Sequence, residues 1–432
     1  MAADWQMDSL GALISVKHGF AFKGEFIHDD PRCDVLLTPG NFAIGGGFKS
    51  AKFKYYDGPV PEEYVLHAGD LVVTMTDLSK EGDTLGYAAL VPASKSGRRY
   101  LHNQRLGKVL IKSPSTLDQT FLHYLLCSRE YRDEVLASAT GTSIKHTSPE
   151  RICRFCFRRP PLSVQRAIAQ ILGTLDDKIE LNRRMNETLE GMTRAIFKDW
   201  FVDFGPTCAK AEGRAPYLAA EIWSLFPDRL DDEGKPEGWI NSTVGEHFKL
   251  TMGQSPPGDT YNELGDGLPF FQGRTDFGFR FPSRRIFCSA PTRIAEAGDT
   301  LVSVRAPVGD VNIAIERCVV GRGVAAVRHV SGSRSVTYHA MHGLAEHFGK
   351  FESEGTVSGS INKADFERLP FIGPHKAVVE YFDRIVSPID EMVELNERES
   401  MNLVATRDLL LPKLMCGEIS LREAEKIVGA VA

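Results

Sequence analysis

Leu175-Asp176-Asp177-Lys178-Ile179-Glu180-Leu181-Asn182 recurs 214 residues later as Ile389-Asp390-Glu391-Met392-Val393-Glu394-Leu395-Asn396. Around the first copy, from Ser163 to about Phe201, there is no proline, and the only glycines are Gly173 and Gly191. The run therefore reads as one long helix. Alternating steps of four and three from Ile168 give Leu172, Leu175, Ile179, Asn182, Asn186, Leu189, Thr193 and Ile196, a heptad seam with a polar interruption at its middle. The second copy gives Phe382, Val386, Ile389, Val393, Asn396, Ser400, Leu403, Arg407 and Leu410, again apolar towards both ends and polar near the centre. Such a seam needs a cover, and the equivalent helix of the same chain is the nearest one. The reading is an intramolecular coiled coil. Repeated halves about a pseudo-two-fold axis would make it antiparallel, with Asn182 and Asn396 near the crossing and hydrogen-bonded to each other. The alternative is that each helix packs on its own domain as an ordinary amphipathic element.

The repeat extends outward from these helices. Trp5 followed by Ser9-Leu10-Gly11 is matched 234 residues later by Trp239 and Thr243-Val244-Gly245. Ala68-Gly69-Asp70-Leu71-Val72-Val73 is echoed by Ala297-Gly298-Asp299-Thr300-Leu301-Val302, a Gly-Asp turn feeding a strand, and Ser143-Ile144 by Ser360-Ile361. The order of features is kept throughout, so the chain reads as a body plus a helix, twice. The expected division is a first body at 1–159, a helical region at 160–204, a linker at 205–238, a second body at 239–370 and a distal helical region at 371–432. The bodies, rich in glycine, aromatics and short β-branched runs, read as mixed α/β domains, the first holding a short helix near 118–136. The linker has Pro206, Pro216, Pro227, Pro236 and the acidic run Asp231-Asp232-Glu233, which suits a surface connector. The fold class is α+β.

The whole chain is mildly acidic, with 51 Lys and Arg against 57 Asp and Glu, so net charge gives no argument for binding a polyanion. The cations are unevenly placed, however. Arg151, Arg154, Arg158 and Arg159 cluster in one half and Arg274, Arg280, Arg284 and Arg285 in the other, and local patches attract phosphate even when the total is negative. Eight cysteines scattered over 432 residues form a free-thiol pattern and not a disulfide framework. No stretch approaches the roughly 18 apolar residues of a membrane span, and the start lacks the character of a signal peptide, so the expected compartment is the cytoplasm.

Pro160-Pro161-Leu162-Ser163-Val164-Gln165-Arg166-Ala167-Ile168-Ala169, the 175–182 run and Ala195-Ile196-Phe197-Lys198-Asp199-Trp200-Phe201 together resemble the central helical region of type I restriction–modification specificity subunits. The second helix, ending Leu410-Leu411-Pro412-Lys413-Leu414-Met415-Cys416-Gly417-Glu418-Ile419, resembles the distal helical region of that family. The resemblance implies two target-recognition domains, each reading one half of an interrupted double-stranded DNA site. It also implies that two modification (methyltransferase) subunits ride on the helices, binding S-adenosylmethionine, and that restriction subunits use ATP and Mg to translocate and cut. None of those cofactors is expected in this chain. About 29 residues of seam would make a rod of about 40 to 45 Å, longer than one turn of DNA, which would act as a ruler between the half-sites.

Base and phosphate contacts need basic and amide or hydroxyl side chains on exposed loops. In the first body Lys17, His18, Lys23, Ser143, Lys145 and His146 meet that description. In the second, Gln254, Ser255, Gln272, Arg274, Asn362 and Lys363 do. Signatures of catalysis are missing: there is no phosphate-binding Gly-x-x-x-x-Gly-Lys-Ser/Thr loop, no His-Glu-x-x-His and no Asn/Asp-Pro-Pro-Tyr/Phe. Pro227-Asp228 with Glu233-Gly234-Lys235 mimics nuclease carboxylates but is too closely spaced for separate strands. Cys153-x-x-Cys156 lacks a second ligand pair for zinc and reads as part of a buried strand, and Gly45-Gly46-Gly47 reads as a flexible loop without a cofactor. No catalytic or metal residue is expected. The competing function is a coiled-coil scaffold that docks partner proteins without reading DNA.

Overall fold

The computed structural model describes residues 5–77, 79, 82–142, 144–353 and 359–431. Two compact units divide it: residues 1–182 with 398–432, and residues 183–397. The long helices, Leu162–Phe201 and Lys376–Met415, are each 40 residues and each contribute to both units.

In the first unit a four-stranded antiparallel sheet runs Ile14–His18, Leu106–Ile111, Leu71–Thr74, Ala88–Leu90. A second sheet of five short strands has Asp34–Leu37 beside Tyr100–His102 as its one parallel pair. Leu71–Thr74 is buried at every position, which explains its unbroken β-branched and leucine composition. Gln6–Ser9 pairs antiparallel with Cys156–Arg159, and Arg159 Nε lies 2.6 Å from Asp8 Oδ2, so the body's two ends are stapled just before the first long helix begins. Cys153 and Cys156 fall on either side of that junction, Cys153 in the helix Pro149–Arg154 and Cys156 exposed at the start of the strand, rather than both inside a buried strand.

The helix expected near 118–136 is two, Gln119–Leu125 and Arg129–Ala137. Asp118 and Ser128 each accept a hydrogen bond from the backbone N–H three residues on, so the second cap starts a new helix where the first ends. Both pack into a core that holds Leu10, Ile14 and Val73 from the body and Ile168, Leu172, Leu175, Leu403, Leu410 and Leu414 from the long helices.

The second unit repeats the plan. Phe248–Met252, Val324–His329, Thr300–Ser303 and Val311–Ile313 make the four-stranded sheet. The five-stranded sheet has one parallel pair, Leu268–Phe271 with Cys318–Val320, and Ile240–Thr243 staples to Pro370–Gly373. The segment 205–238 forms the helix Gly205–Ala211 and buries Thr207, Ala209 and Phe226, with Phe226 edge-on to Trp200 at 5.1 Å. Pro206 lies buried in the first turn of that helix, Pro236 bridges to Leu230, and apolar residues of the segment join the core around Trp239, Phe197 and Phe382.

Within each unit the helices run antiparallel. In the first, Asp176 meets Arg407 (2.8 Å), while further along the helix Lys178 meets Glu399 (3.3 Å) and the Asn182 amide donates to Ser400 Oγ (3.3 Å), both partners lying before Arg407 in the chain. In the second, Asn396 donates to Asn186 (2.8 Å), Asn186 donates to Glu397 (2.8 Å), and Phe197 and Phe201 pack edge-on to Phe382. Asn182, Asn186, Val386, Val393, Asn396 and Leu403 are buried, and Ile179 is half-buried. Leu189 and Ile389 are only half-buried, because in the second unit the buried places go to their neighbours Glu190 and Asp390.

Candidate nucleic-acid interface

The two parallel strand pairs determine where loops converge. Strands that run side by side in one direction release their following loops on the same side of the sheet. In the first body the loops after Leu37 and His102 therefore emerge together, carrying Thr38–Asn41 and Asn103–Arg105. Asn41, fully buried, fixes the first of them: its Oδ1 accepts from the Thr38 N–H at 2.9 Å and its amide donates to the Ala51 carbonyl at 3.0 Å. Tying 41 to 51 folds the intervening residues back over the site. Lys49, Lys52, Lys54 and Arg105 thereby line one cleft of about 470 Å³ with Ile44, Asp77 and Asp83. Burial pushes the Asp77 carboxyl up, but hydrogen bonds from Thr84 and Ser79 outweigh it and hold the group below the usual carboxylate range.

In the second body the corresponding loops after Phe271 and Val320 carry Gln272–Asp276 and Gly321–Gly323. Asp276 takes the role of Asn41, accepting from the Gln272 N–H at 3.0 Å. The 320–323 turn bonds on one side to Gln254, whose N–H reaches the Val320 carbonyl, and on the other to Gln272, whose carbonyl accepts from Gly323. Ser255 Oγ accepts from Arg322 Nε at 3.3 Å. Gln254, Ser255, Gln272 and Arg274 thus gather at one end of the sheet. Asn362 and Lys363 stand apart, with Asn362 capping the helix Lys363–Glu367 and Lys363 paired with Glu367 at 3.5 Å.

The first-body candidates disperse further. Lys17 is engaged by Glu63 at 2.8 Å and lies over the Tyr64 ring. His18 is exposed at its strand's end and Lys23 is exposed with Glu25 3.8 Å away. Lys145 and His146 form a short strand paired with Thr76–Asp77, His146 Nδ1 lying 3.1 Å from Thr76 Oγ1. Ser143 lies outside the described residues.

The arginine cluster read from the second half is not a basic patch. Arg280 is fully buried, 3.1 Å from Glu190 and 2.7 Å from Asp390. Arg274 pairs with Asp310 (2.6 Å), Arg284 with Glu316 (2.5 Å) and Arg285 with Asp276 (2.5 Å). Sequence reasoning put these forward and passed over Lys49, Lys52 and Arg105. The signal it had for the latter was the alternation Lys49-Ser50-Ala51-Lys52-Phe53-Lys54, basic residues interleaved with an aromatic one.

Residues 4–191 match the family described as the type I restriction modification DNA specificity domain. The chain is 30% identical over 272 residues to a chain assigned as the MjaX type I restriction enzyme specificity subunit of Methanocaldococcus jannaschii, covering 61% of this chain and 59% of that one. It is 24% identical over 361 residues to the HindI specificity subunit of Haemophilus influenzae, covering 69% and 77%. The chain is thus similar to type I specificity subunits, and it spans about three fifths of the length of the M. jannaschii relative that it matches at 30% identity. The S subunit of M. genitalium shares the fold, with a TM-score of 0.56 at 16% identity over 95% of this chain and 96% of that one. The match to the DNA specificity domain falls on the first body and most of the helix that follows it. The Asp228, Glu233 and Lys235 set that mimics a nuclease is spent internally: Lys235 pairs with both Asp231 and Glu233, and Asp228 with Lys210 at 3.0 Å. No helix among the described residues is long and apolar enough to cross a membrane, and no group of three metal-ligating side chains occurs among them.

Proposed function

We propose that this chain is a type I specificity subunit that reads an interrupted, two-part double-stranded DNA target in the cytoplasm, one half through each body, and recruits two modification subunits and the restriction subunits of a type I system. One observation carries the reading. The same framework, a parallel strand pair releasing two loops side by side, is built twice from different residues: Lys49, Lys52 and Arg105 in one body, Gln254, Gln272 and Arg322 in the other. Like frameworks with unlike loops suit two unlike half-sites, since base edges are told apart by the donors, acceptors and apolar groups that face them. On this reading 1–159 and 239–370 are the target-recognition domains, 160–204 and 371–432 the helical regions and 205–238 the linker. S-adenosylmethionine, ATP and Mg belong to the partner subunits. Of the candidates, His18, Gln254 and Gln272 are exposed and Lys145 is half-buried, while Lys17, Lys23, His146, Ser255, Arg274, Asn362 and Lys363 must share their contacts with a protein neighbour.

The test is selection of bound duplexes from a randomised pool, using the chain co-expressed with its modification subunits. An interrupted motif with two fixed halves is expected, and exchanging residues 1–159 for those of another member should change one half only. An intact assembly that selects no motif would favour a protein-docking scaffold instead.

A further inference from the structure

Three cations of the first body converge on one cleft. Lys49, Lys52 and Arg105 are exposed, line one cleft, and have no carboxylate within ion-pair distance among the described residues, whereas the second body's Arg274, Arg284 and Arg285 each have one. Lys54, the fourth cation there, is held by Asp29. Of the two acids in the cleft, Asp77 is occupied by Ser79 and Thr84. Like charges brought together at an open surface repel one another, and the chain nevertheless holds Lys52 in a left-handed backbone conformation, φ +52°, that a non-glycine residue seldom adopts. At the rim, the loop through Gly45, Gly46 and Gly47, all at positive φ, carries Ile44 with 74% of its surface exposed. An isoleucine so presented beside three cations with no ion pair among the described residues has the chemistry of an apolar base contact flanked by phosphate contacts.

We propose that this cleft is where the first half-site is gripped: Lys49, Lys52 and Arg105 seat successive backbone phosphates, and Ile44 meets an apolar base edge such as a thymine methyl. The assignment rests on the DNA-reading function proposed above and specifies its chemistry: the first body supplies a cationic grip that the paired arginines of the second body do not. Phosphate contacts displace condensed counterions, so each one steepens the salt dependence of binding by about 0.9 in the slope of log affinity against log salt. The three cations should together account for about 2 to 3 of that slope.

The experiment compares the full chain, assembled with its modification subunits, with the triple variant Lys49→Gln, Lys52→Gln, Arg105→Gln and with the control Arg284→Gln, Arg317→Gln, whose arginines pair with Glu316 and Glu296. Binding to the selected duplex and to a scrambled duplex is measured across salt concentrations. The first triple variant should lose about 2 to 3 from the slope on both duplexes and select an unchanged motif, while the control keeps the parent slope. Ile44→Ala should alter preference at one position of one half-site and leave the slope alone. A parent slope retained by the first triple variant overturns the proposal, as does a changed motif, which would make these residues base readers. Should the triple variant fold poorly by circular dichroism, Lys52→Gly relieves the backbone strain while removing one cation, and a drop of about 1 in slope is then the required result. A parent assembly that binds no duplex in a salt-dependent way removes the underlying DNA reading itself.

Discussion

Arg280 Nη2 lies 2.7 Å from Asp390 Oδ1 and 3.1 Å from Glu190 Oε2, with the guanidinium wholly buried. It also lies over the Tyr338 ring, whose hydroxyl donates to Glu190 at 3.1 Å. One cation from the second body thus satisfies an acid on each long helix. Tyr124, 214 residues before Tyr338, does related work in the first unit, donating to Asp176 at 2.6 Å, but there the cation is Arg407 of the distal helix. Position 193, the repeat equivalent of 407, is a threonine, so the second unit draws its charge from the body instead.

Replacing Arg280 by Met should therefore cost about 3 to 5 kcal/mol of unfolding free energy, because the one cation shared by two buried carboxylates is lost, leaving Glu190 with the half-exposed Arg194 and Asp390 with His339 at 3.9 Å. Adding Glu190→Gln and Asp390→Asn should restore much of the loss. Arg407→Met, whose pair with Asp176 is partly exposed, should cost no more than about 1 kcal/mol. Urea denaturation of the three variants decides: equal losses at Arg280 and Arg407 would contradict the burial argument.

The displacement of the seam is measurable in the same way. Leu403 is fully buried among Leu172, Leu175 and Leu410, so Leu403→Ala should cost about 2 to 5 kcal/mol. Leu189, half-buried beside Glu190, should cost about 1 kcal/mol or less on the same change, although the heptad count gives both the same standing.

The difference between those two leucines shows what a sequence pattern can carry. Helix length and the polar centre at Asn182 and Asn396 follow from spacing, because a helix's faces are fixed by its own period, and the antiparallel pairing follows from the repeat of the two halves. Burial of Glu190 in place of Leu189 depends on Arg280, about 90 residues away in sequence, and no local period encodes that. The same holds for the interface. Lys49 and Arg105 meet because Asp34–Leu37 lies parallel to Tyr100–His102, a pairing that composition does not reveal. Gln272 and Arg274 were legible as exposed loop residues, but the carboxylate that occupies Arg274 comes from Asp310 on another turn.

Gly46 is required by its surroundings. At φ +97° a Cβ would stand 2.1 Å from Cys127 Sγ. Gly46→Ala should destabilise the chain by about 1 to 3 kcal/mol and loosen the loop bearing Ile44, read as faster proteolysis there. Adding Cys127→Ala removes the clash but not the backbone strain, so the double variant should recover part of the loss and not all of it.

Stability should fall on mild acidification through two buried histidines, one in each unit. Burial pulls His102 down to about 4, against a smaller opposing effect of its 2.9 Å contact with the Leu106 carbonyl, and burial with the neighbouring His247 pulls His329 to about 4. A folded value below the ordinary 6.5 means that the unfolded chain takes up the proton first. The stability each neutral ring contributes is thus complete above about pH 6.5 and is lost as pH falls towards 4, at up to about 1.4 kcal/mol per pH unit per histidine. The unfolding midpoint in urea should drop between pH 7 and pH 5. His102→Gln, whose amide can still reach the Leu106 carbonyl but cannot titrate, should make that drop smaller without lowering stability at pH 5, and an unchanged drop would mean that His102 does not charge on unfolding in this window.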